Sequence, residues 1–122
     1  MHELSLVESI KAITLRHARM QRASRVVSVR IVIGDLSSYV EEALVTFWDE
    51  VSRATEASGA RLEFLRISGE LMCLHCSKSF TAKRSDYRCP SCGSEWVKPL
   101  AGEECYVDSI EVEVAQGAQV CR

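Results

Sequence analysis

The stretch from Glu70 to Lys98, ELMCLHCSKSFTAKRSDYRCPSCGSEWVK, decides how the chain is built. It holds Cys73-Leu74-His75-Cys76 and Cys89-Pro90-Ser91-Cys92, two CxxC pairs separated by twelve residues. Two intervening residues let both sulfurs of a pair face one cation, and two pairs complete a tetrahedron suited to zinc. With four ligands in place, no position is left for a catalytic water. Few aliphatic residues lie in this stretch, so it is expected to be a module held by metal rather than by an apolar core. His75 offers an alternative ligand, but four thiolates already satisfy zinc.

Outward from the module, the flanks read as ordinary globular sequence. Leu6, Ile10, Ile13, His17 and Met20 step by four and three, which predicts an amphipathic helix from residue 4 to about 20, bounded by Arg22 to Ser24. His17 on this stripe reads as a buried, hydrogen-bonded histidine. Val26 to Ile33 is β-branched and almost wholly apolar, a central strand closed by Gly34-Asp35. Val40, Leu44, Phe47, Val51 and Ala54 predict a second helix, with Ser37 or Ser38 as N-cap and Gly59 as stop. Phe47 and Trp48 read as its core or rim. Arg61 to Ile67 is a second strand in which Leu62 and Phe64 change face before Leu65, as at a bulge or under two-sided burial. From Val107, Ile110, Val112 and Val114 alternate with outward Glu111 and Glu113, predicting a third. The tail from Ala115 is expected to be unstructured.

The fold class expected is therefore α+β: two helices on a three-stranded sheet, with a four-cysteine zinc-ribbon-like domain inserted before the last strand. The expected domains are residues 1–69 with 99–114, the inserted residues 70–98, and a flexible tail at 115–122. At 122 residues, with 47% hydrophobic and 26% charged, the chain suits one modest core and a satellite module. No window approaches the roughly 20 apolar residues of a membrane span, and the acidic start MHELSLVESIK does not read as an export signal, so a cytoplasmic protein is expected. In a reducing compartment six cysteines point to metal or free thiols rather than disulfides; Cys105 reads as a small apolar filler, and Cys121, like it, as unpaired.

The formal charge is −2, which gives no global attraction to phosphate. Within residues 73–98, Lys78, Lys83, Arg84, Arg88 and Lys98 outnumber Asp86 and Glu95. Those cations fit either a nucleic-acid patch or, as favoured here, neutralisation of a zinc–thiolate centre that carries net negative charge. A zinc-ribbon adaptor for nucleic acid or protein is the alternative reading. No Ser-His-Asp set or open zinc site suggests an enzyme.

Met1-His2-Glu3 places an imidazole beside the terminal amine. Amine, backbone amide nitrogens and imidazole can chelate one ion, and deprotonated amides in a plane suit Ni(II) or Cu(II) better than Zn(II). The opening MHELSL, the Val-rich strand ending at Gly34, Gly59-Ala60 before a strand, CLHC, CPSCGS and the closing IEVE together resemble the HypA/HybF family of hydrogenase maturation over residues 1 to 114. The resemblance implies a non-enzymatic nickel metallochaperone. In it His2 ligates Ni(II), with Met1 giving its amine and Glu3 a backbone group, while Cys73, Cys76, Cys89 and Cys92 hold structural Zn(II). It further implies that nickel is cargo, passed through contact with a nickel-handling GTPase to a hydrogenase large subunit precursor. Asp35, Glu41 and Glu42 lie where some family members offer further oxygen ligands, but none of the three matches firmly.

Overall fold

A computed structural model describes residues 2–82, 86–114 and 117–121, without the side chains of residue 2 and residues 117–121. The chain divides into two compact units. One comprises Met1–Ile31, Ser38–Leu65 and Tyr106–Arg122, and the other Val32–Ser37 and Arg66–Cys105. The second unit thus reaches beyond residues 70–98 on both sides.

In the first unit, helix α1 (His2–Met20) packs against helix α2 (Glu41–Val51). Helix α1 buries Val7, Ile10, Thr14, Leu15 and Ala18. Of the expected stripe only Ile10 is among them: Leu6 and His17 are half-buried, and Ile13 is 37% and Met20 70% exposed. Apolar residues occur on more than one side of this helix, and the buried side is the one carrying the shorter Val7, Thr14 and Ala18, which permit close approach. Helix α2 buries Leu44 and Trp48, and the Trp48 Nε1–H donates to the Ala60 carbonyl at 3.1 Å. Phe47 sits at the rim.

Two expectations for α2 fail. Its N-cap is Val40, without a side-chain cap of its own, rather than Ser37 or Ser38. It stops at Val51, eight residues before Gly59, because the chain turns through Ser52, whose N–H closes on the Trp48 carbonyl, and Ala54 adopts φ 65°.

The main sheet contains β1 (Arg25–Gly34), β2 (Arg61–Ile67), β6 (Cys105–Val114) and β7 (Gly117–Cys121) in the order β2-β1-β6-β7; β3, β4 and β5 belong to the second unit. Strand β1 is central, with Val26, Val29, Ile31, Val32 and Ile33 all buried. Strand β2 lies at the edge with Leu65 exposed, so its irregular pattern reflects an outer position. Strand β6 returns beside β1 and buries Ile110 and Val112. The sheet has four strands, not three: Gly117 to Cys121 pair antiparallel with β6, Val114 opposite Gly117 and Ile110 opposite Cys121. Pairing satisfies the backbone groups that β6 would otherwise leave open, which a reading of side-chain pattern does not register.

The second unit is built on a three-stranded antiparallel sheet, β4-β3-β5, of β3 (Glu70–Cys73), β4 (Ser79–Thr81) and β5 (Val97–Ala101). The turn after β1 is stitched into it. The Gly34 N–H donates to the Glu104 carbonyl, the Asp35 N–H to Ile67 and the Leu36 N–H to Gly102, at 2.8, 2.9 and 2.8 Å.

Candidate metal sites and family

Strand β3 delivers Cys73 to its end, where the chain turns back. The Cys73 N–H donates to the Lys78 carbonyl and the Ser77 N–H to the Cys73 carbonyl, at 2.8 and 2.9 Å. The second CxxC turn repeats the device, with the Gly93 N–H on the Cys89 carbonyl and the Cys89 N–H on the Ser94 carbonyl. Each turn thereby presents two sulfurs on one side.

All four Sγ atoms of Cys73, Cys76, Cys89 and Cys92 lie within 4.8 Å of one another. Cys73 to Cys92 and Cys76 to Cys89 are each 3.6 Å. A tetrahedron with Zn–S bonds of about 2.3 Å has edges of about 3.8 Å, so the pocket has the size of a four-thiolate site. Cys73 and Cys89 are buried, Cys76 is intermediate and Cys92 exposed.

The backbone prepares the sulfurs for a cation. The N–H groups of Cys76 and His75 lower the Cys73 pKa against burial, and they lie 3.4 and 3.3 Å from its Sγ. The N–H groups of Cys92 and Ser91 hold Cys89 down at about 6. At Cys92 the Ser94 N–H pulls the same way, but burial and hydrogen bonds with Cys73, Cys89 and Cys76 outweigh it and push the thiol up to about 12. Neighbouring sulfurs cannot all ionise side by side; a dication removes that conflict. These N–H donors are the contributors that a reading of side chains alone misses, although they follow from the CxxC turn itself.

At the other end of the chain, α1 begins at His2 rather than at residue 4. The first amide groups of a helix have no intrahelical acceptor, so the His2 and Glu3 nitrogens are not committed to the ladder. The Glu3 carboxylate accepts the Val40 N–H at 3.3 Å, which joins the start of α1 to the start of α2 and satisfies the N–H of the residue at the N-cap. Met1 and the His2 side chain lie outside the described residues. His17 is half-buried and engaged with a neighbour, and His75 sits on the exposed surface of the first CxxC turn. Asp35 is held by Arg66 at 2.8 Å, and Glu41 and Glu42 occupy the first turn of α2.

Of the module's cations, Arg88 pairs with Asp86 at 3.3 Å, while Lys83 and Arg84 lie outside the described residues. Cys105 is half-buried at the start of β6, and burial raises its pKa. No helix among the described residues is long and apolar enough to cross a membrane.

Fold and sulfur cluster together define a small α+β protein with a four-thiolate metal site. Residues 1–112 match the family model described as HypA, hydrogenase/urease nickel incorporation, metallochaperone. The chain belongs to the HypA family, whose members are nickel metallochaperones of hydrogenase and urease. It is 38% identical over 113 residues to a hydrogenase maturation factor HypA of Alkalilimnicola ehrlichii, covering 93% of this chain and all of that one. With the Rhizobium leguminosarum bv. viciae factor of the same name it shares 40% over 112 residues, 92% of this chain and 99% of the relative. Among solved structures it is similar to the nickel metallochaperone HypA of Helicobacter pylori, at 27% identity and TM-score 0.62 over 90% of this chain and 96% of that one. A second HypA solution structure matches at 29% and 0.66, over 92% and 96%. The adaptor reading of the basic residues is not favoured by this family membership.

Proposed function

We propose that the chain carries Ni(II) at its amino terminus and keeps Zn(II) in the four-cysteine module. The His2 imidazole, the Met1 amine and the backbone nitrogen of Glu3 are the donors for nickel. Cys73, Cys76, Cys89 and Cys92 are those for zinc, which cross-links the two CxxC turns and supplies no reactive position. The observation that carries the nickel assignment is the start of α1 at His2, joined to Glu3's bond to Val40. It leaves backbone nitrogens without helical acceptors next to the terminal amine, while the Glu3 carboxylate is already used. Helical ψ, about −42°, keeps successive nitrogens on one side of the chain, closer to a chelating arrangement than an extended strand does. Deprotonated amides offset the charge of the ion against the positive end of the helix.

Transfer follows as ligand exchange. The amino terminus has covalent continuity on one side only, so releasing it opens the site without disturbing the core. The recipient is the large subunit precursor of a nickel–iron hydrogenase, reached through contact with a nickel-handling GTPase in the cytoplasm; the protein acts as carrier rather than enzyme. Metal analysis and Ni(II) titration of the untagged protein test this reading. One tightly held zinc and one exchangeable nickel per chain are expected. Nickel binding only by displacement of zinc would overturn it.

A further inference from the structure

Ala12, Leu15, Arg16, Arg19 and Met20 follow one another on α1 at i, i+3, i+4, i+7 and i+8, and together they line an open depression of about 620 Å³. Leu15 is its buried floor, and Met20 stands out on its rim. One exposed methionine is ordinary; its electrostatic setting is not. From Ser9 to Gly34 the sequence holds Lys11, Arg16, Arg19, Arg22, Arg25 and Arg30 and no acid, in a chain of charge −2. Four of these cations are matched inside the fold: Lys11 with Glu8, Arg19 with Glu56, Arg25 with Glu113 and Arg30 with Glu63. Arg16 and Arg22 have no ion-pair partner among the described residues. Arg19 is bound by Glu56 through both Nε and Nη2, at 3.0 and 3.1 Å, which fixes one wall of the depression. Helix-end electrostatics favour cations in the last turn, but they do not account for an apolar stripe left open between them.

We propose that this stripe docks an amphipathic helical segment of a partner protein, one whose apolar face is bordered by carboxylates. The apolar side chains cover Leu15 and Met20, and the carboxylates pair with Arg16 on the stripe and with Arg22, two residues beyond its last member. The spacing is that of helix-on-helix contact, and methionine adapts its shape to a variable partner. A second copy of this chain does not fit, because a two-fold contact through the stripe would bring two unpaired Arg16 guanidiniums together with no carboxylate between them. Nucleic acid is disfavoured as well: most of the local cations are neutralised by the protein's own carboxylates, and the floor is apolar.

The inference is independent of the nickel site. Its test is a titration of the isotope-labelled, zinc-loaded protein with a helical Leu/Glu peptide of matching stripe. The same protein is titrated with the corresponding Leu/Lys peptide, a dT oligonucleotide and anionic phosphatidylglycerol vesicles. Saturable amide shifts centred on Ala12 to Met20 are expected with the acidic peptide alone. Arg16→Glu combined with Arg22→Glu should weaken that binding at least about tenfold and create affinity for the Leu/Lys peptide. That charge swap separates docking from misfolding, since an unfolded variant would bind neither peptide at the stripe. Absence of binding by the acidic peptide, equal binding of both peptides by the unaltered protein, or preference for the oligonucleotide or vesicles would overturn the proposal.

Discussion

Gly34 and Gly102 approach so closely that a Cβ on Gly34 would lie 1.9 Å from the Gly102 carbonyl oxygen. Gly102 in turn holds φ at +103°, and its own Cβ position lies 2.5 Å from the Gly69 Cα. The end of β1 and the two connections of the cysteine module therefore meet backbone to backbone, with no room for a side chain. Gly34→Ala is expected to cost roughly 3 kcal/mol or more, since backbone rather than a flexible side chain must yield. Urea unfolding of the zinc-loaded protein measures it; a loss below about 1 kcal/mol would show that the junction can open.

Removing a cysteine should affect the two units unequally. Cys73→Ser or Cys92→Ser is expected to abolish stoichiometric zinc and loosen residues 70–98 while much of the main sheet persists, because Val26, Ile31, Trp48 and Val112 are buried in the other compact unit. Zinc analysis alongside amide exchange checks both halves. Full zinc retention would remove the four-thiolate assignment.

Zinc entry into the stripped protein should release no more than three protons at pH 7.5. Cys89, held at about 6, is already a thiolate there, whereas Cys92 at about 12 must lose its proton to the metal. In the metal-free protein the depressed Cys89 pKa adds stability that is complete above its ordinary value near 9 and is lost as pH falls through about 6. Below pH 6 zinc affinity should accordingly fall more steeply, by one further proton. Calorimetry in buffers of different ionisation enthalpy counts the protons; release of four would mean that Cys89 is not ionised.

The two CxxC pairs were legible in the sequence because ligand chemistry ties spacing to geometry, and β1 because β-branched burial on both faces leaves one solution. The buried face of α1 was not, since Leu6, Ile13 and Met20 compete with Val7, Thr14 and Ala18 and close packing rather than hydrophobicity decides. Nor was the cap of α2: its acceptor is Glu3, thirty-seven residues away, where no local signal points. Strand β7 was missed for a similar reason. Gly117 to Cys121 shows no clean alternation, and its order comes from the hydrogen bonds that β6 offers.

Glu3→Gln distinguishes a backbone role from a carboxylate role at the nickel site. Loss of charge at the start of α2 should lower stability by about 0.5–1 kcal/mol. Nickel affinity should stay near that of the unaltered protein, because the carboxylate faces Val40. Parallel thermal melts and Ni(II) titrations read the two effects apart, and a tenfold loss of nickel affinity would make the Glu3 carboxylate a ligand.

His2→Ala is expected to abolish specific nickel binding and hydrogenase maturation while zinc content and thermal stability stay near the unaltered values. Among the described residues of α1 the first buried one is Val7, whereas the imidazole completes a chelate that no neighbour replaces. An N-terminal extension should do similar damage with His2 intact, because it converts the amine into a peptide nitrogen. Acid should release nickel from the unaltered protein, since amine, imidazole and amide donors bind only when deprotonated. Ni(II) titration of the untagged, His2→Ala and extended forms, with absorbance read for a planar complex, checks all three. Unchanged affinity in His2→Ala would move the site elsewhere, with the half-buried His17 and the exposed His75 the next residues to replace.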